Sequence, residues 1–192
     1  MNANIAFYGG ARSVTGANYL LKIDDVKVLV DCGMFQGSKY SEDLNYEKFP
    51  YDPAEIDFVF ITHSHTDHVG RLPKLYKEGF RGKVIATNAT LDLIRKALPD
   101  NLNLIREEAE RDGHDPLFSL KDLEGVLELA QGVNYEEEIN AGDGLKAILH
   151  DAGHILGSSI IEIKFPNKSQ ISNLKSRRFI LPGIWVIRRR LY

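Results

Sequence analysis

Residues 62–68 read Thr-His-Ser-His-Thr-Asp-His and follow an apolar run, residues 56–62, of Ile-Asp-Phe-Val-Phe-Ile-Thr. No other stretch limits the fold as tightly. The run is β-branched and aromatic without strict polar alternation, which predicts a buried strand. In extended backbone, residues two apart share a face, so His63 and His65 can converge on one point. Asp67 and His68 follow where the chain turns and can face a neighbouring point. Four such groups are costly to bury unless their polarity is compensated. Imidazole and carboxylate together suit zinc, manganese or iron(II), and two adjacent ligand sets suggest a dinuclear centre.

A second segment supports this reading. His154 lies in Asp151-Ala-Gly-His-Ile-Leu-Gly157, between two candidate strands. Its flanking glycines allow the backbone to approach a site closely. His150 falls on the strand side and reads as structural. His114, in Asp-Gly-His-Asp-Pro, reads as an exposed turn residue. Asp31 ends a strand in Val30-Asp-Cys-Gly33. It reads either as a carboxylate orienting a metal-binding His or as a simple turn residue, and the local sequence does not separate the two. Cys32 has no second Cys to share a metal with, so it reads as a small buried residue.

The remaining chain predicts a layered α/β domain. Residues 5–8 are a short strand. Residues 18–23 and 27–30 form a hairpin around Asp24-Asp25, and residues 84–86 a further strand. Helices are expected at 72–77 and 90–97, the second stopped by Pro99, and a charged, solvated one at 103–111. Ser119-Leu-Lys-Asp122 opens another helix with a capping box, running to Ala130 and ended by Gly132. Residues 145–149 and 159–165 are strands. At 192 residues, 43% hydrophobic and 27% charged, the composition is that of a globular domain, not a disordered or disulfide-rich chain. A lone cysteine fits a reducing compartment, and no apolar run approaches bilayer length, so a cytoplasmic protein is expected. The sequence leaves oligomeric state open.

At this point the residues resemble a known family. His63-x-His65-x-Asp67-His68 is similar to the signature of the metallo-β-lactamase fold. Gly9-Gly-Ala-Arg-Ser-Val-Thr-Gly16, Val30-Asp-Cys-Gly-Met-Phe-Gln-Gly37, His68-Val-Gly-Arg-Leu-Pro73 and Asp151-Ala-Gly-His-Ile-Leu-Gly-Ser158 resemble its RNA-processing β-CASP branch, related to the cleavage and polyadenylation endonuclease. The resemblance implies a four-layer αββα sandwich with two divalent ions, zinc by expectation, at one edge. It places His63, His65 and His154 on one ion and Asp67 and His68 on the other. Asp31 supports the ligand loop, and Asp67 can also take up a proton. The implied reaction is cleavage of RNA phosphodiester bonds by a metal-activated hydroxide.

The resemblance also exposes a deficit. The family supplies a further bridging Asp, in a phrase like Ser-Gly-Asp-Leu-Gly, then the β-CASP insertion and a final His. Here no acid follows Glu162 and no His follows His154. All 27 acidic residues precede residue 163, whereas residues 163–192 hold eight of the 24 Lys and Arg. The body thus carries −11 and the tail +8. The expected division is an incomplete domain over 1–163 and an atypical basic tail over 164–192 outside the family fold. Among the codons permitted for Gly183-Ile-Trp-Val-Ile-Arg-Arg-Arg-Leu-Tyr192 is a set that, read from the third base of the Gly183 codon, gives Asp-Leu-Gly-Asn-Pro-Pro-Thr-Pro-Ile. A frameshift upstream, between about Ile163 and Phe179, is the expectation that follows; the competing reading is an intended basic extension for nucleic acid. The function expected is therefore a truncated RNA-processing hydrolase with impaired activity. The alternatives are a thioesterase or lactonase on the same fold, and a non-catalytic metal-binding fragment.

Overall fold

The computed structural model describes residues 3–166 and 176–182. Two sheets face each other. The first has six strands in the order β1 (Ala3–Phe7), β2 (Tyr19–Ile23), β3 (Val26–Val30), β4 (Phe58–Phe60), β5 (Lys83–Thr87) and β6 (Ala130–Val133). β1 to β3 pair antiparallel and β3 to β6 parallel, with helices as the crossovers. The second has four antiparallel strands: β7 (Glu138–Asn140), β8 (Lys146–Asp151), β9 (Ser159–Pro166) and β10 (Ser176–Pro182).

Alternation along the strands explains the layers. Leu20, Leu29, Val59, Ile61, Val84 and Ala86 face one apolar cluster, shared with the helices α3 (Leu72–Lys77), α4 (Asn88–Asp112) and α5 (Leu120–Glu128). Leu21, Val28, Val30, Phe60 and Ile85 face the other, shared with Ala147, Leu149, Ile161 and Ile163 of the second sheet. Successive side chains of the first sheet thus feed opposite cores, which is why the 56–62 run lacks polar alternation. The described residues supply helix, sheet and sheet: three of the four layers expected.

Three expectations need correction. Pro99 does not stop a helix: α4 runs through it as one helix of 25 residues. The lost hydrogen bond and ring clash cost roughly 3 kcal/mol. Beyond the proline, Leu102 and Ile105 are buried on the stripe begun by Leu91, Ile94 and Leu98. Burial of two such side chains contributes about 3–6 kcal/mol, enough to offset the break. The 103–111 segment is accordingly not wholly solvated. Gly132 is not a helix terminator either. The capping box at Ser119 and Asp122 is present, but α5 ends at Glu128 and Gly132 lies in β6, pairing with Ala86.

The change of charge near residue 163 is not the end of the sheet. β9 continues to Pro166, and β10 pairs with it from Ser176↔Pro166 to Pro182↔Ile160. The rest of the basic segment, including Trp185 and Arg188 to Arg190, lies outside the described residues. Among the described residues no helix is long and apolar enough to cross a membrane.

Candidate metal centre

β4 leaves the sheet at Phe60, and the chain stays extended to His65, which caps α2 (Thr66–Val69) with β-region backbone. His63 and His65 therefore share a face, with Nε2 of His63 3.1 Å from Nδ1 of His65. The loop between β8 and β9 brings in His154, whose ring centroid lies 5.2 Å from that of His63 and 5.1 Å from that of His65. One nitrogen from each ring lies within 4.8 Å of the others. Three imidazoles converging from two sheets form a donor set suited to a borderline cation such as zinc. His63 is 1% exposed, while His65 and His154 face solvent, leaving the cluster accessible from one side.

The His154 loop is held from several directions. The Ser158 hydroxyl accepts from the N–H groups of His154 (3.0 Å) and Ile155 (3.2 Å). The Gly157 carbonyl accepts from the hydroxyls of Thr87 (2.7 Å) and Thr90 (2.8 Å). Tyr135 donates to the Ser158 carbonyl at 2.9 Å, and the Ser159 N–H donates to the Thr62 carbonyl at 2.7 Å.

Asp31 lies behind the cluster, fully buried with φ +59°, an unfavourable conformation for a non-glycine residue. One carboxylate oxygen accepts from the Thr62 N–H at 2.8 Å. The other accepts from the Thr62 hydroxyl at 2.7 Å and lies 2.7 Å from Nδ1 of His68. Burial disfavours the His68 cation, but the Asp31 hydrogen bond and charge, helped by Asp67, outweigh burial and raise its pKa. Nε2 of His68 lies 3.5 Å from the Asp67 carboxylate, and its ring is 4.0 Å from that of His63. Asp67 and His68 thus adjoin the three-histidine cluster.

The backbone under this loop is closely fitted. A Cβ on Gly33 would stand 1.6 Å from the Asp67 carbonyl oxygen, so no side chain is possible there. That carbonyl accepts from the Ala17 N–H, and the His68 carbonyl accepts from the Cys32 N–H. Cys32 is buried and its thiol is pushed up to about 12, mainly by burial, consistent with a packing role.

His150 pairs instead with two carboxylates, its ring nitrogens each 2.9 Å from one of them, of Glu136 and Glu162. His114 is half-buried rather than exposed: it stacks on Tyr46 at 4.0 Å and lies 3.4 Å from Asp43. The turn motif around it gave no hint of that aromatic partner. Thr62, Tyr135 and Ser158 are site residues that sequence reasoning missed, because their roles rest on partners distant in the chain.

Burial, then the neighbouring His68, His65 and His154, pushes His63 down to about 3. The fold thus holds it neutral where the unfolded chain, at the ordinary value of 6.5, takes up a proton. Metal-free protein should lose stability as pH falls from about 6.5 toward 3. His68 works oppositely, adding stability below the ordinary value that is lost as pH rises through its raised pKa. Denaturant melts of chelator-treated protein at neutral and acid pH should show a smaller acid loss for His63→Gln. Equal acid losses in the two chains would contradict the assignment.

Two facing sheets with a histidine-rich loop at their edge match the metallo-beta-lactamase superfamily domain, whose sequence pattern covers residues 20–173 of this chain. The chain belongs to that superfamily. The subclass B3 metallo-beta-lactamase MEM-A1, from a soil metagenome library, shares its fold at TM-score 0.53 and 16% identity, over 86% of this chain and 56% of that one. Ribonuclease TTHA0252 of Thermus thermophilus is 42% identical over 154 residues, covering 80% of this chain and 33% of the relative. Transcription termination factor FttA of Methanosarcina mazei is 33% identical over 157 residues, covering 79% of this chain and 23% of the factor. The chain therefore spans about a third or less of the ribonuclease and the termination factor.

Proposed function

We propose that this chain carries the metal centre of an RNA hydrolase of the β-CASP type. The convergence of His63, His65 and His154 carries the reading, and the likeness to a ribonuclease and a termination factor points it toward RNA. His63, His65 and His154 hold one divalent ion, taken as zinc, and Asp67 and His68 serve a second. Such ions supply a water activated at neutral pH and neutralise charge on a phosphodiester. The protein's own part is to place the donors. Asp31 and Thr62 orient the His68 ring, Ser158 and Tyr135 set the His154 loop, and the Asp67 carboxylate, partly solvated beside His68, takes up a proton.

Among the described residues, Asp67 and His68 are the groups that adjoin the three-histidine set and would serve the second position. Zinc-loaded protein should cleave single-stranded RNA, and a chelator should abolish the cleavage. Preferential turnover of thioester or lactone substrates would overturn the RNA reading. A frameshift between about Ile163 and Phe179 accounts for the acid-free tail. Sequencing the coding DNA tests it, and an alternative frame lacking the Asp-Leu-Gly phrase rejects it. The single buried cysteine accords with a cytoplasmic setting.

A further inference from the structure

The loop between β1 and β2 contributes no metal ligand, yet it is built against the ligand loop. It closes on itself: the Gly10 N–H donates to the Thr15 carbonyl at 3.3 Å, and the Ser13 hydroxyl donates to the same carbonyl at 3.1 Å. Its two ends meet so closely that a Cβ on Gly9 would lie 1.9 Å from the Gly16 carbonyl. The Thr15 hydroxyl donates to the Gln36 carbonyl at 3.2 Å and accepts from the Gln36 N–H at 3.0 Å. Just beyond the loop, the Ala17 N–H donates to the Asp67 carbonyl at 2.9 Å. The base of the loop is thereby fixed to the backbone that presents Asp67 and His68.

At the exposed end stands Arg12, with φ +60°, next to Ser13 and Val14, the latter 96% exposed. Arg12 thus holds a conformation uncommon for a bulky residue, on a loop whose base is bonded to the Asp67 backbone. Among the described residues Arg12 makes no ion pair or hydrogen bond. Two other bases near the ligand loop are committed. Arg71 is buried, donates to the Gly33 carbonyl and stacks on Phe35 and Phe49. Lys74 is buried against Glu78 and Phe49. The body around them is acidic, with −11 over residues 1–162, so bulk charge repels a polyanion and a local cation must receive it.

We propose that Arg12 is a phosphate-binding residue that receives a backbone phosphate of single-stranded RNA beside the metal centre. The assignment rests on the RNA reading given above. A guanidinium suits this task because its planar fork of donors matches two phosphate oxygens at once.

The test uses the full zinc-loaded chain and a fluorescein-labelled 2′-O-methyl RNA strand. Affinity is read by fluorescence anisotropy across a potassium chloride series. Arg12→Ala should lower the slope of log affinity against log salt by roughly 0.7, the value for one single-strand phosphate contact. Arg12→Gly, which suits the positive φ and keeps the loop shape, should do the same, whereas Arg12→Lys should retain most of the slope. Zinc content should be unchanged in all three. If the unmodified chain binds RNA and both neutral variants keep its slope, the role of Arg12 is rejected and the RNA reading stands. If the unmodified chain binds no RNA at any salt concentration, both fall.

Discussion

Replacing His63 and His65 together with alanine should abolish stoichiometric binding of divalent metal. The two rings supply two of the three nitrogens that lie within 4.8 Å of one another, and His154 alone is a solvent-facing imidazole on a loop. Loss of a residue that merely supports a ligand typically lowers metal affinity ten- to a hundredfold, so removal of two ligands should exceed a hundredfold. The variant should remain folded, because neither residue belongs to the two apolar clusters that hold the sheets together. Elemental analysis of dialysed protein gives the stoichiometry, and circular dichroism reports the fold. An unchanged ion content in a folded variant removes both residues from the site.

Asp31→Ala should produce the largest loss of stability from a single change near the site. The carboxylate is fully buried and serves three partners: the N–H and hydroxyl of Thr62, and the ring of His68. Its removal leaves the buried Thr62 N–H and the His68 ring without their acceptor, and each such stranded group costs about 1–3 kcal/mol. For a chain of this size the two together lower the melting temperature by roughly 4–20 °C. Asp31→Asn should lose less, since an amide oxygen still accepts from the Thr62 N–H. Equal melting temperatures for Asp31→Ala and the unmodified chain would show that Thr62 and His68 need no buried acceptor there.

The parts of the site written in adjacent residues were legible. The spacing of His63 and His65 after an apolar run placed them on one face, and glycines flanked His154. Asp31 was harder: a carboxylate before Cys-Gly also reads as a turn, and only the bonds to Thr62 and His68, over 30 residues away, distinguish the two. Thr62 and Tyr135 carry no local signal at all, because their roles lie in hydroxyls that meet distant backbone and side chains. In the fold, the β2–β3 hairpin follows from its own turn, with Asp24 at φ +48°. The path of α4 through Pro99 does not, since the penalty is local whereas the compensating burial comes from elements elsewhere in the chain. β7 was missed for a similar reason: its three residues gain their apolar contacts from β8 and the facing sheet.

The placement of the three histidines makes any ion held there a clasp between sheets. His63 and His65 follow a strand of the six-stranded sheet, whereas His154 lies between two strands of the four-stranded one. The seam is otherwise closed near this point by the bond from Ser159 to Thr62 and by apolar packing further in. An ion that binds only the native arrangement stabilises it by about 2.7 kcal/mol at a hundred times its dissociation constant. Limited proteolysis of this chain should therefore quicken when metal is withdrawn. Its steady-state abundance would then follow the supply of that ion, linking the lifetime of the polypeptide to mineral nutrition as directly as its chemistry.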